Sequence, residues 1–227
     1  MDYWREFLYP LGFLSSLFFT ARILIQWALS EAEKKSVVPL LFWKLSFAGN
    51  CFLMLHAMLQ VQFHVFIIQV ANGVISWRNL NLMRQEKSPV AFKTVLLFLI
   101  ATLLFSSLLF SFFNNLSLSD FSLWFRSPIS FLIPTNGKTI PFAWHVLGFI
   151  GLTCFSSRFW VQWILAEKKK TSYFSPLFWW LSLIGDLLVL VYFAKIKDPV
   201  NLIGPFFGLV PYVRNLILLK NTKAEMT

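Results

Sequence analysis

Inside long apolar stretches of this chain, an arginine is twice followed, one helical turn on, by a glutamine: Arg22 with Gln26, and Arg158 with Gln162. At that spacing both side chains leave a helix on the same face. An inward-facing guanidinium fork beside an amide suits a phosphate or a carboxylate. An arginine near the centre of a bilayer costs at least ~2.5–3.5 kcal/mol, and less as it nears the interface. Snorkelling to the headgroups explains a single such residue about as well as binding does. Recurrence of the pair among otherwise different neighbours favours binding. Asn50 and Asp186, each following a glycine, form a second polar pair deep in apolar surroundings. Intramembrane acids usually mark a substrate or proton site, and a helix–helix hydrogen bond is the competing explanation. Asn72, next to Gly73 and close to Gln69, interrupts a third stretch, and Arg78-Asn79 and Arg214-Asn215 close two others. With Arg22 and Arg158, Arg78 and Arg214 form a basic collar near one end of the helices, although helix dipoles and headgroups account for them too. These residues make up the candidate substrate-binding set. Glu31 and Glu167, beside Lys34 and Lys170, read as solvated ion pairs at helix ends.

No glycine-rich phosphate loop, nucleophile elbow or Ser-His-Asp pattern accompanies them, so no catalytic residue is assigned. His56, His64 and His145 lack a second ligand at metal spacing, and Cys51 and Cys154 lie in apolar stretches as packing residues. No metal or cofactor is therefore expected.

The elements that carry these groups repeat. Arg22, Gln26, Trp27 and Glu31 return as Arg158, Gln162, Trp163 and Glu167 at one interval (158 − 22 = 136), and Asn50, Arg78 and Asn79 return as Asp186, Arg214 and Asn215. The chain is thus a tandem duplication: a first repeat over 1–85, a linker over 86–141 and a second repeat over 142–227. Its 227 residues are 57% hydrophobic, 19% aromatic and 13% charged, with a mean hydropathy of +0.66. A soluble domain carries about 25% charged residues, and the apolar residues here form blocks of bilayer length. The expected fold is an all-α integral membrane protein with seven transmembrane helices, near 7–29, 37–58, 61–80, 92–113, 142–165, 174–194 and 199–219. Three helices, a linker helix and three more give a 3-1-3 arrangement, with the two triple-helix bundles parallel. Duplicated bundles of this kind place their site at the seam. Between Asn114 and Pro141, the piece Phe121–Ile133, broken by Arg126 and Pro128, reads as interfacial. The first apolar stretch reads as a retained span, with no secretory or lipidation signal.

The net charge of +10 resides in short connections, which points to topology and anionic lipids and away from nucleic acid. Lys34, Lys35, Arg84, Lys87, Lys93, Lys168, Lys169, Lys170, Lys220 and Lys223 mark the cytoplasmic side. Arg5, Arg126, Lys138, Lys195 and Lys197 mark the other. The N-terminus is then outside and the C-terminus cytoplasmic.

The second repeat reads Arg158-Phe-Trp-Val-Gln162-Trp163, Glu167, Ser172, Pro176-Leu-Phe-Trp179, Ser182, Gly185, Asp198-Pro199-Val, Gly204, Gly208 and Tyr212-Val-Arg214-Asn215-Leu216. This resembles the lipid A biosynthesis N-terminal family, a membrane module found alone, in tandem or ahead of the glycosyltransferase part of some lipid-A-disaccharide synthases. The first repeat departs from it where Gln62-Phe63 replaces Asp198-Pro199. The family looks related to the PQ-loop and SWEET group, which implies a central cavity and alternating access. The resemblance implies a bacterial inner-membrane protein of lipid A metabolism that binds or translocates a sugar or sugar-phosphate lipid between two bundles. The alternative is a non-transporting partner of a lipid A pathway glycosyltransferase. Catalysis by this stretch itself is not expected, because no segment outside the spans is long enough to build a nucleotide-sugar domain. Membrane lipids, anionic or sugar-linked, are the other expected partners.

Overall fold

The structure, a computed structural model, describes residues 3–84, 90–117, 119, 121–125 and 140–224. Arg126, Lys87, Pro128 and Lys138, used above for sidedness and for the outer segment, lie outside the described residues, as does the Lys223 side chain. Among the described residues the secondary structure is helical. A short α1 (Tyr3–Leu8) leads into α2 (Leu11–Glu33), α3 (Leu40–Gln60), α4 (Phe63–Met83), α5 (Phe92–Phe113), α6 (Phe142–Lys169), α7 (Pro176–Lys195) and α8 (Pro199–Ala224). Phe121–Trp124 forms a single 3-10 turn whose Trp124 is buried against Phe63 and Phe110, and Phe125 makes an isolated antiparallel bridge to Gln62. Five helical segments, Trp4–Glu33, Leu40–Gln60, Phe92–Phe113, Pro176–Lys195 and Pro199–Lys220, are long and apolar enough to cross a membrane. The α4 and α6 helices have the length, but buried polar side chains such as His64, Asn72, Arg78, Arg158 and Gln162 dilute their hydropathy.

The apolar residues explain the packing. In α5 the mean hydropathy is 2.5 and few residues are covered, so the helix leans mainly on α4, with ring contacts from Phe92 to Trp163 and from Phe113 to Trp4, and presents Leu97, Leu104, Phe105, Leu108 and Phe112 outward. The other six long helices close a ring in which α2 packs on α3, α3 on α4, α4 on α6, α6 on α7, α7 on α8 and α8 on α2. Contacts within a repeat are α2–α3–α4 and α6–α7–α8. The α2–α8 and α4–α6 contacts cross from one repeat to the other.

The same turns recur in both repeats. Lys34 and Lys170 cap α2 and α6 at φ 53° and 56°, and Val61 and Lys197 follow α3 and α7 at φ 58° and 56°. In each later turn a backbone N–H reaches back to seal the helix end, Gln62 to the Ala57 carbonyl at 2.9 Å and Asp198 to that of Phe193 at 3.0 Å. Close approach replaces side-chain bulk at Gly185, where a Cβ would stand 2.5 Å from the Phe155 backbone. Pro205 and Pro211 are accommodated within α8, and the carbonyl of Pro211 accepts from Asn215 Nδ2 at 2.9 Å. The helices run further at the α2 and α6 ends than the apolar pattern alone indicates, because Glu31 and Glu167 are held there by partners.

Candidate functional site

All six ring helices contribute to one central cavity, which measures about 60 Å³ as the space open to the centres of water molecules. That is room for several waters and well short of a ligand-sized site. Arg22 and Arg158 both line it, 5% and 2% exposed. Arg22 donates to Ser46 Oγ at 2.8 Å, and Arg158 donates to the Tyr212 hydroxyl at 3.1 Å. The Nε of each lacks a hydrogen-bond partner. Aromatic rings face both guanidinium groups. The Arg22 guanidinium carbon lies 4.4 Å from the Phe19 ring centroid, and that of Arg158 lies 3.4 Å from Phe155. Both also lean on Phe159, at 5.3 Å and 4.6 Å, so the two cations share a ring. Ring faces attract a cation without neutralising it.

Asn50, Gln69 and Asn72 line the same cavity. Asn50 Nδ2 donates to Ser76 at 3.1 Å, and Asn72 Oδ1 accepts from Ser156 across the seam at 2.9 Å. The repeat counterpart of Asn72 is Gly208, and the hydroxyl of Thr20, counterpart of Ser156, is left without a partner. Asp186 is fully buried, with neither carboxylate oxygen hydrogen-bonded, and lies within electrostatic reach of Arg158 and Tyr212. It is not among the residues that line the cavity. Asn50 and Asp186 thus each engage their own repeat, and no hydrogen bond joins them.

The remaining candidates form something the sequence reading did not anticipate. Gln162 Nε2 donates to Asn79 Oδ1 at 2.7 Å, while Asn79 Nδ2 donates to Gln162 Oε1 at 3.0 Å. The repeat-related pair does the same, with Gln26 donating to Asn215 at 3.1 Å and Asn215 to Gln26 at 3.3 Å. One turn further out, Arg78 grips Glu167 through two bonds of 2.5 and 3.0 Å, and Arg214 grips Glu31 through Nε and Nη2. Each link joins one repeat to the other. Arg78 and Arg214 are therefore not free members of a basic collar, and Glu31 and Glu167 are not merely solvated partners of neighbouring lysines. Lys170 does approach Glu167 at 3.5 Å, but the arginine from the opposite repeat is the closer partner. Glutamates recurring beside a tryptophan in both repeats were the available signal. Trp27 and Trp163 donate to them at 3.1 and 3.0 Å.

The clamp is not symmetric. Trp43 donates across the seam to Ser172 at 2.9 Å, whereas in their counterparts the Trp179 indole nitrogen and the Ser36 hydroxyl oxygen are buried atoms without partners. At the opposite end of the helices a second closure joins Gln62 to Asp198 at 3.0 Å, and Asp198 also holds Asn201 at 2.8 Å. His64 and His145 share the Tyr192 hydroxyl at 3.0 and 2.9 Å. Among the described residues no group of three His, Cys, Asp or Glu side chains is arranged to hold a metal.

Known proteins relate to this arrangement as follows. The Lipid A Biosynthesis N-terminal domain matches residues 11–81 and again residues 147–217, the two matches separated by the repeat interval. The chain is 39% identical over 211 residues to a lipid-A-disaccharide synthase of Chlamydia pneumoniae, covering 93% of this chain and 33% of that protein. Synthases of the same name from Chlamydia felis and Chlamydia trachomatis serovar D are 38% and 35% identical over 216 and 209 residues, covering 93% and 92% of this chain and 33% of each relative. The chain spans about a third of the length of these relatives. No solved structure matches. The two domain matches carry the Arg–Gln pairs, the amide clamps and the Glu–Arg grips described above, and the chain belongs to the lipid A biosynthesis N-terminal family, with the domain present in two copies.

Proposed function

We propose that this chain is an integral membrane module of lipid A metabolism, made of two parallel three-helix bundles flanking α5, which binds the anionic head of a sugar-phosphate lipid in the cavity at their seam. The observation that carries this reading is the pair Arg22 and Arg158, two buried cations converging on one cavity with no carboxylate hydrogen-bonded to either. Like charges brought together out of water repel, and a phosphate is the complement that removes the cost. Asn50, Gln69 and Asn72 are suited to sugar hydroxyls. The family membership and the relatives' names support the lipid A association. A lysine-rich glutamate end supports assignment of that end to the cytoplasm, with the N-terminus outside, in a bacterial inner membrane.

Hydrogen bonds join the repeats toward both ends of the helices, and the small volume of the cavity supports a nearly closed stage of a carrier that rocks one bundle against the other. In that reading the Gln–Asn and Glu–Arg clamp is the cytoplasmic gate. The relatives' length favours a second role, in which the module docks the head group for an adjoining glycosyltransferase. Binding of glucose 1-phosphate to the purified protein in nanodiscs, with glucose as the neutral control, tests the shared premise. A charge-assisted hydrogen bond contributes about 1.5–3 kcal/mol, so Arg22→Gln and Arg158→Gln should each weaken phosphate binding roughly tenfold to a hundredfold. Binding of the phosphate no tighter than glucose, or affinity unchanged from the unaltered protein in both variants, would refute it.

A further inference from the structure

Beside the ring lies a second space, an open groove of about 290 Å³ between α3, α4 and α5. Its walls are apolar: Phe47, Met54, Val70, Trp77 and Phe98. Asn50 and Gln69 line this groove and also line the central cavity, so two amide-bearing residues stand between the two spaces. Gln69 is 7% exposed, and among the described residues no group hydrogen-bonds to its amide. An amide that lines an apolar space without a protein partner calls for a polar one at that neck.

The floor and neck of the groove differ between the repeats. At its floor a Cβ on Gly73 would meet nothing within 4 Å. The repeat interval puts Leu209 at the corresponding place, with Pro205 in place of Gln69, and α5 leans on α4 without a counterpart leaning on α8. A glycine that opens space, an unpartnered amide beside it and an aromatic wall supplied by the extra helix coincide at one point.

We propose that this groove seats a hydrocarbon chain of the ligand while its phosphate-bearing head occupies the cavity, so that the ligand is a single amphiphile straddling Asn50 and Gln69. The proposal rests on the cavity's reading as an anion site and adds the seat of the lipid's chain to it. The groove is apolar where a chain would lie, polar at the neck where the head would join it, and leads toward the two arginines. Hydrogen bonds join the repeats toward both ends of the helices, and this lateral side is the path the proposal gives a membrane-embedded ligand.

The test uses the full chain in nanodiscs with a lipid monophosphate bearing a diazirine at mid-chain, followed by peptide mapping of the crosslinks. Labelling is expected to concentrate on the α4 segment around Gly73 and the inner face of α5 around Thr102. Gly73→Phe puts a ring into empty space, and displacing even two methylenes lowers affinity roughly tenfold. Groove labelling should fall accordingly, with glucose 1-phosphate binding unchanged. Thr102→Trp narrows the groove from α5 and serves as an independent variant should the first misfold. Labelling spread evenly over the lipid-facing surface of α5, or unchanged in both variants, overturns the groove while leaving arginine-dependent phosphate binding intact. Loss of phosphate binding in the unmodified protein strikes the underlying anion site instead.

Discussion

Removing one carboxylate from each Glu–Arg grip should have very unequal effects, although the two grips are related by the duplication and use the same atoms. In the Arg78–Glu167 pair the side chains are 1% and 10% exposed, whereas in the Arg214–Glu31 pair they are 40% and 29% exposed. Removing one partner of a buried ion pair costs roughly 3–5 kcal/mol because the other charge is left stranded. Glu167→Gln should fall near the lower limit, about 3 kcal/mol, since the amide oxygen still accepts one bond and Asn81 still accepts from Arg78 at 2.8 Å. In a domain of this size that corresponds to a drop of roughly 6–12 °C in melting temperature. Glu31→Gln leaves Arg214 in contact with water, and solvated pairs of that kind contribute little. Its melting temperature should stay close to that of the unaltered protein. The double variant Arg78→Leu with Glu167→Leu should recover most of the loss, because no charge is left stranded. Thermal unfolding of the four proteins in one detergent, followed by intrinsic tryptophan fluorescence, measures all of this. Equal losses for Glu31→Gln and Glu167→Gln, or a double variant as unstable as the single, would refute the argument from burial.

The glycines at the helix crossings offer a related comparison. A Cβ at Gly185 would stand 2.5 Å from backbone atoms of Phe155, whereas at the repeat-related Gly49 it would meet the Phe19 ring at 2.5 Å. Backbone cannot yield as a ring can, so Gly185→Ala should cost about 1–3 kcal/mol and Gly49→Ala distinctly less, read as denaturation midpoints of the two variants. Lys197 is exposed and holds a left-handed conformation at φ 56°, which costs a non-glycine residue about 1–2 kcal/mol. Lys197→Gly should raise the melting temperature by a few degrees, and an unchanged or lower value would show that the turn carries no such strain.

Much of the molecule was legible from residue order alone. Long apolar blocks interrupted by charged turns marked the helices, and recurrence of Arg22-Gln26-Trp27-Glu31 as Arg158-Gln162-Trp163-Glu167 exposed the duplication and drew attention to the polar residues worth following. Those features are local, so spacing along one helix suffices to find them. Pairing between repeats is a different matter. Gln26 lies far in sequence from Asn215, and Glu167 far from Arg78, and nothing in either segment names its partner across the seam. Near-identical repeats even conceal the differences, because Glu31 and Glu167 look alike until the ring of helices buries one grip and leaves the other wet. The same holds for Gly73 and Gln69, which read in sequence as helix breakers. Only the packing of α5 against α4 turns them into the floor and neck of a groove, since empty space is a property of what surrounds a residue and not of the residue itself.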